Sequence, residues 1–148
     1  VDVDDAAMSL LRFENGAIGT MEASRFAAGR KNANCFEING EKGSLRFDLE
    51  RLNELEFYEE SGSESGFRTI LATDESHPFV DGWWPPGHIL GYEHSFTNQV
   101  ADICRVMGRR KPEIPLPDFE DAYQTQRVLE AVLIAAKRRE TVKMSEVK

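Results

Sequence analysis

From Asp81 to His94 the chain reads Asp-Gly-Trp-Trp-Pro-Pro-Gly-His-Ile-Leu-Gly-Tyr-Glu-His. Two adjacent tryptophans and two prolines stand just ahead of His88, Tyr92 and His94. A small polyhydroxylated ligand calls for this mixture. Its C–H faces stack on rigid aromatic rings, while its hydroxyls need hydrogen-bonding partners. Trp84 and His88 are read as site residues on that ground. Trp83 fits equally well as a plug between a helix and a sheet. At a helix start, His88 can also simply cap backbone groups, and His94 is read as structural.

Other chemistries fit less well. His88, Glu93 and His94 lack the His-Glu-x-x-His spacing of a zinc site. Gly40-Glu41-Lys42-Gly43 lacks the Walker spacing and no helix follows it, so a hairpin turn is expected rather than a phosphate loop. Glu22 and Glu37 sit on strand-like runs. Solvent-face charge explains them better than the paired carboxylates of a glycosidase.

The bulk properties narrow the classes further. A chain of 148 residues is the size of one ordinary domain, residues 1–148. A hydrophobic fraction of 41% with nine phenylalanines argues against disorder. The net charge of −8 argues against nucleic acid or an anionic membrane surface as partner. Cys35 and Cys104 lie far apart and suggest neither a disulfide framework nor a zinc site, which makes a reducing, cytoplasmic setting the simplest. No stretch resembles a signal peptide or a membrane span. The chain opens Val1-Asp2-Val3, without methionine and directly in a strand-like run, and is read as a piece of a longer protein.

The elements that must position the aromatic segment follow from periodicity. Residues 6–13 are apolar on both parities, as in an inner strand covered on two faces. Asn15-Gly16 turns them into a second run at 17–28, since Asn-Gly between strand-like runs marks a hairpin. After the polar break Gly29-Arg30-Lys31-Asn32 come strands at 35–38, 44–49, 54–59 and 67–73. A long loop at 74–87 leads into a helix whose apolar stripe is Ile89, Tyr92, Phe96, Val100, Ile103 and Met107, expected to be its buried face. Gly108 closes it, and a proline-rich connection at 111–117 reaches a second helix. Asp118 is its N-cap, with Phe119, Ala122, Leu129, Leu133 and Ala136 as the inner stripe. Residues 141–144 fit a last short strand. The fold class is therefore α+β, a largely antiparallel sheet of about six strands with two helices packed on one face. Two helices on one face leave the other to be covered, by the sheet of another copy or by a missing part of the parent chain.

Several motifs in this order resemble one family. They are Arg12-Phe13-Glu14-Asn15-Gly16-Ala17, Arg25-Phe26 ahead of Gly29-Arg30-Lys31-Asn32, and Phe36-Glu37-Ile38-Asn39-Gly40 with Lys42-Gly43-Ser44-Leu45. Trp84, His88 and Tyr92 follow, then Asp118-Phe119-Glu120-Asp121-Ala122. Over nearly its whole length the chain resembles the carboxy-terminal domain of the glucose–fructose oxidoreductase / inositol dehydrogenase (Gfo/Idh/MocA) family of NAD(P)-dependent sugar dehydrogenases. The resemblance implies a fold like the C-terminal domain of dihydrodipicolinate reductase. It also implies a substrate-binding and oligomerisation role beside the parent's own Rossmann domain, with homo-oligomers formed through the sheet. The family's Glu-Lys-Pro and Asp-x-x-x-His motifs are absent, as is any Gly-x-Gly-x-x-Gly turn. The fragment alone is thus expected to hold no cofactor and transfer no hydride, with NAD or NADP bound by the parent.

What the resemblance leaves to this chain is contact with a small polyhydroxylated substrate through Arg30, Asn32, Trp84, His88 and Tyr92, with Arg25 as an addition. The residue types suit that work. Asn32 and Tyr92 can pair with hydroxyls, and Arg30 offers a forked donor. The expected parent is a sugar or cyclitol dehydrogenase. An NAD-dependent glycoside hydrolase and a non-enzymatic sugar sensor or scaffold stay open beside it.

Overall fold

The computed structural model describes residues 3–147, so Val1 and Asp2, where the first strand-like run was read to begin, lie outside the described residues. The chain divides into two units, one formed by the residues up to Gly29 together with those from Pro117 onward, the other by Arg30–Leu116. Six antiparallel strands and two helices give the expected α+β class. The strands form two sheets, of two and of four, and each unit holds one sheet and one helix.

In the first unit β1 (Ala6–Arg12) and β2 (Ile18–Ser24) pair along their full length, from Ala6 opposite Ser24 to Arg12 opposite Ile18. The Asn-Gly signal makes the turn. Gly16 takes a left-handed φ of 90°, and Asn15 Oδ1 accepts from the Ala17 N–H at 3.0 Å. Two expectations change here. The second strand stops at Ser24, whose hydroxyl accepts from the Phe26 N–H and bends the chain away. The first is not covered on two faces, since β2 is its single neighbour. The face that carries Met8 and Leu10 is open, Leu10 being 87% exposed.

The second unit holds β3 (Cys35–Gly40), β4 (Gly43–Asp48), β5 (Glu54–Glu59) and β6 (Arg68–Leu71), hydrogen-bonded in chain order. The register sorts the side chains by period 2. Phe36, Phe47, Leu55 and Ile70 fall opposite one another on one face, and Glu37, Arg46, Glu56 and Thr69 on the other. Phe36 and Phe47 pack with ring centroids 5.6 Å apart, while Arg46 and Glu56 pair at 3.1 Å on the polar side. Gly40 pairs with Gly43, so Gly40-Glu41-Lys42-Gly43 is the hairpin turn expected. Gly43 is required there, because its φ is 153° and a Cβ would lie 2.2 Å from the Tyr58 carbonyl oxygen.

Helix α1 (Tyr92–Met107) belongs to this second unit and α2 (Phe119–Arg138) to the first. Asp118 caps α2 as expected. Its Oδ1 accepts from the N–H groups of Glu120 and Asp121 at 2.9 and 3.0 Å, and Asp121 Oδ2 accepts from the Asp118 N–H in return. The inner stripes are not those the spacing suggested. In α2 the sheltered positions are Arg127, Val128, Ala131, Val132, Ile134 and Ala135, while Phe119 is 95% exposed. They sit on the side of the helix where Arg127 clasps the carbonyl oxygens of Met144 and Val147, which draws the C-terminal segment over that face. Residues 144–146 form a short 3-10 turn there, not a strand. In α1 the stripe expected to be buried is open, Phe96, Val100 and Met107 among it. The sheltered side is instead polar: His94, Asn98, Asp102 and Arg105, spaced four, four and three.

Candidate functional site

The polar side of α1 exists to hold the aromatic loop. Trp83 donates its indole N–H to Asn98 Oδ1 at 2.8 Å and meets the His94 ring edge-on at 4.5 Å. His94 Nδ1 accepts from the Gly91 N–H at 3.0 Å, closing the first turn of the helix. Both residues therefore serve structure, as read for His94 and as one of the two readings of Trp83.

One turn lower, Asp102 is fully buried. Its Oδ1 accepts from Arg105 at 2.6 Å and from the Glu113 N–H at 2.8 Å, and its Oδ2 from the Ile114 N–H at 3.2 Å. Burial alone would raise its pKa. The N–H groups of Glu113 and Ile114 and the Arg105 guanidinium outweigh burial and hold the carboxyl below its ordinary range. Arg105 also lies over the Phe79 ring, its guanidinium carbon 5.6 Å from the centroid. Phe79 takes a left-handed φ of 68° to enter the 3-10 turn Val80–Gly82, and Val80 beside it is 3% exposed. The loop at 74–87 is thus pinned by one buried carboxylate, one arginine and one valine.

Past Trp83 the chain is open. Trp84 is half exposed. Pro85-Pro86-Gly87-His88 then makes a tight turn, the His88 N–H donating to the Pro85 carbonyl, with proline and a positive-φ glycine (88°) at its centre. Those are the residues a type II turn demands. His88 Nδ1 lies 2.9 Å from the same Pro85 oxygen. A carbonyl can only accept, so Nδ1 is the donor in this contact. The helix expected from His88 starts at Tyr92, because Gly91 holds extended backbone as its N-cap. Tyr92 packs edge-on against Phe96 at 5.1 Å, and its ring is 57% exposed.

Five of the six predicted site residues, Arg30, Asn32, Trp84, His88 and Tyr92, belong to the second unit. Lys31 and Asn32 both donate their backbone N–H to Glu50 Oε1 at 2.9 Å, which leaves the Asn32 amide side chain free of that tie. Arg25 belongs to the first unit, just past β2, with its N–H donating to the Asp5 carbonyl. Glu22 and Glu37 also fall in different units. Two shallow cavities of the second unit lie away from these residues. One is under the β5–β6 loop, lined by Phe57, Glu59, Ser63, Glu64 and Arg68, and the other is among the charges of the polar sheet face. None of the five lines either cavity. Sequence reasoning missed Glu50, Asn53, Asn98 and Asp102. For Asn98 and Asp102 the only sign was a polar stripe on α1, which a solvated face explains as readily, and Glu50 and Asn53 in the turn between β4 and β5 gave none.

The glycine-bounded turn Gly40 to Gly43 joins two strands, and α1 and α2 open on Gly91 and Asp118 as N-caps. No described helix is long and apolar enough to cross a membrane.

This α+β arrangement is that of a known class. Residues 1–144 match the family described as "Oxidoreductase family, C-terminal alpha/beta domain", and the chain belongs to it. Among individual proteins it is 35% identical to a levoglucosan dehydrogenase from Pseudarthrobacter phenanthrenivorans over 99% of its own length and 38% of that protein's. A crystal structure of an oxidoreductase domain protein from Kribbella flavida is 53% identical with a TM-score of 0.86, covering 95% of this chain and 37% of that one. Levoglucosan dehydrogenase in complex with NADH and levoglucosan superposes with a TM-score of 0.85 at 36% identity, over 95% of this chain and 38% of that one. The chain therefore spans less than half the length of the relatives it matches.

Proposed function

We propose that this chain is the substrate-recognition domain of an NAD-dependent sugar dehydrogenase, acting on a compact polyhydroxylated ring of the levoglucosan kind. The observation that carries the proposal is the similarity to a levoglucosan dehydrogenase across 99% of the chain. On this reading the dinucleotide and the hydride transfer belong to the rest of the parent protein. This domain contributes the wall. Trp84 stacks on a C–H face, while His88 Nε2 accepts from one hydroxyl and Tyr92 and Asn32 pair with others. Arg30 adds a forked donor at the rim. The same reading makes the open face of β1 and β2, with Met8, Leu10 and Ile18 exposed, a contact between copies of the protein.

The test is NADH formation by the full-length protein on levoglucosan, with a cyclitol and a nitrophenyl glycoside alongside. Sugar-dependent NADH formation is expected. Tyr92→Phe should raise the sugar KM about fivefold, the cost of one neutral hydrogen bond, and leave the NAD KM unchanged. Cleavage of the glycoside without net NADH would overturn the dehydrogenase reading in favour of a hydrolase.

A further inference from the structure

The two stretches that hold the candidate substrate residues are far apart in sequence, yet both are fastened to one short turn. That turn, residues 48–53, joins β4 to β5 and contains the 3-10 helix Leu49–Arg51. It stabilises itself first: Asp48 Oδ1 accepts from the Glu50 N–H at 2.9 Å. Glu50 then turns its carboxylate outward, and Oε1 takes the backbone N–H groups of both Lys31 and Asn32. The Leu49 N–H donates to the Asn34 carbonyl at 3.0 Å, so the loop that carries Arg30 and Asn32 is tied to the turn at Lys31, Asn32 and Asn34.

Three residues after Glu50, Asn53 does the same for the aromatic segment. Its Nδ2 donates to the Leu90 carbonyl at 2.7 Å and its Oδ1 accepts from the Leu90 N–H at 2.8 Å, a closed pair of bonds across 37 residues of chain. An asparagine amide carries one donor and one acceptor side by side, as a backbone peptide does, and here it stands in for a strand partner. Leu90 lies midway between His88 and Tyr92. Asn53 is itself fixed, because its carbonyl accepts from the Ala72 N–H at 2.7 Å at the end of β6. Three residues of chain span at most about 10 Å, so the two fastenings sit close together.

We propose that residues 48–53 form a positioning element, in which Glu50 and Asn53 act as positioning residues that set the Arg30–Asn32 loop and the His88–Tyr92 segment in register for one substrate. The proposal rests on the reading of Asn32, His88 and Tyr92 as substrate contacts. Neither positioning residue touches substrate. Their side chains are spent on backbone groups of the two stretches, which makes their effect one of placement.

The experiment is steady-state kinetics of the full-length protein with levoglucosan and NAD. Glu50→Ala and Asn53→Ala should each raise the sugar KM by roughly fivefold or more while the NAD KM and kcat stay within about twofold. Glu50→Gln keeps an acceptor oxygen for both N–H groups and should restore most of the affinity. In an Asn32→Ala background, Glu50→Ala should add little, because the group it positions is already gone. If Asn32→Ala and Tyr92→Phe raise the sugar KM but Glu50→Ala and Asn53→Ala only lower the melting temperature, the positioning role is overturned and the site reading survives. If Asn32→Ala and Tyr92→Phe leave the sugar KM unchanged, the site reading fails, and the positioning role falls with it. Should the alanine variants not fold, Asn53→Asp carries the test. It keeps the acceptor for the Leu90 N–H and loses the donor to its carbonyl, so an unchanged sugar KM would overturn the proposal.

Discussion

The two units use their polar side chains in opposite ways. In the first, side-chain bonds are local or close a chain end: Asn15 to Ala17, Asp118 to Glu120 and Asp121, Arg127 to Met144 and Val147. In the second they reach across the fold: Glu50 to Lys31 and Asn32, Asn53 to Leu90, Trp83 to Asn98, Asp102 to Glu113 and Ile114. The first unit is a hairpin and a helix that secondary structure alone would build. The second contains long irregular stretches whose backbone groups find few ladder partners, so side chains must satisfy them. A surface that recognises a small polar ligand needs irregular backbone of this kind held still. On the proposed reading the binding surface belongs to the second unit and the first serves as scaffold.

Substitutions can break that contrast. The largest effect is expected from Asp102→Ala, which takes the acceptor from the Glu113 and Ile114 N–H groups and from the Arg105 guanidinium. A fall in Tm of about 10 °C or more should appear in calorimetry of the intact protein, with faster hydrogen exchange at Glu113 and Ile114. The same residue gives a pH signature. Its folded pKa is depressed, so its stabilisation is in full force above the ordinary carboxylate range and drains away as the pH falls through the lower folded value. Melting temperature should therefore drop steeply below about pH 4, and less steeply in Asp102→Asn, which does not titrate.

Val80→Ala comes next. Removing two methyl groups from the 3%-exposed side chain should cost about 1.5 kcal/mol, read as a lower denaturation midpoint. In the first unit, Asp118→Ala loses the N-cap of α2, at about 1 kcal/mol, with no change in sugar KM. Phe119→Ser should be within about 0.5 kcal/mol of neutral, since its ring is 95% exposed. If Phe119→Ser proved as damaging as Val80→Ala, the scaffold would extend over a face that the chain leaves open.

How far each part was legible from the sequence follows from the range of the forces that shape it. Asn15-Gly16, the alternation of Leu45 and Phe47 in β4 and the Asp118 cap are local signals, and the structure carries all three. The stripes of α1 and α2 were misread because an apolar stripe shows which face would gain from burial, not what covers it. In α1 the covered face follows Trp83 and Phe79, whose rings meet His94, Asn98 and Arg105. The aromatic segment was visible as composition. Its fastening to Glu50 and Asn53 was not, because a bond across 37 residues leaves no pattern in a linear sequence.

The most direct measurement is a crystal structure of the full-length protein with NADH and levoglucosan bound. The account predicts the sugar against Trp84, with its hydroxyls within hydrogen-bond distance of Asn32, His88 or Tyr92 and the Asn53–Leu90 pair intact. A sugar bound elsewhere, with those four side chains left facing solvent, would contradict it.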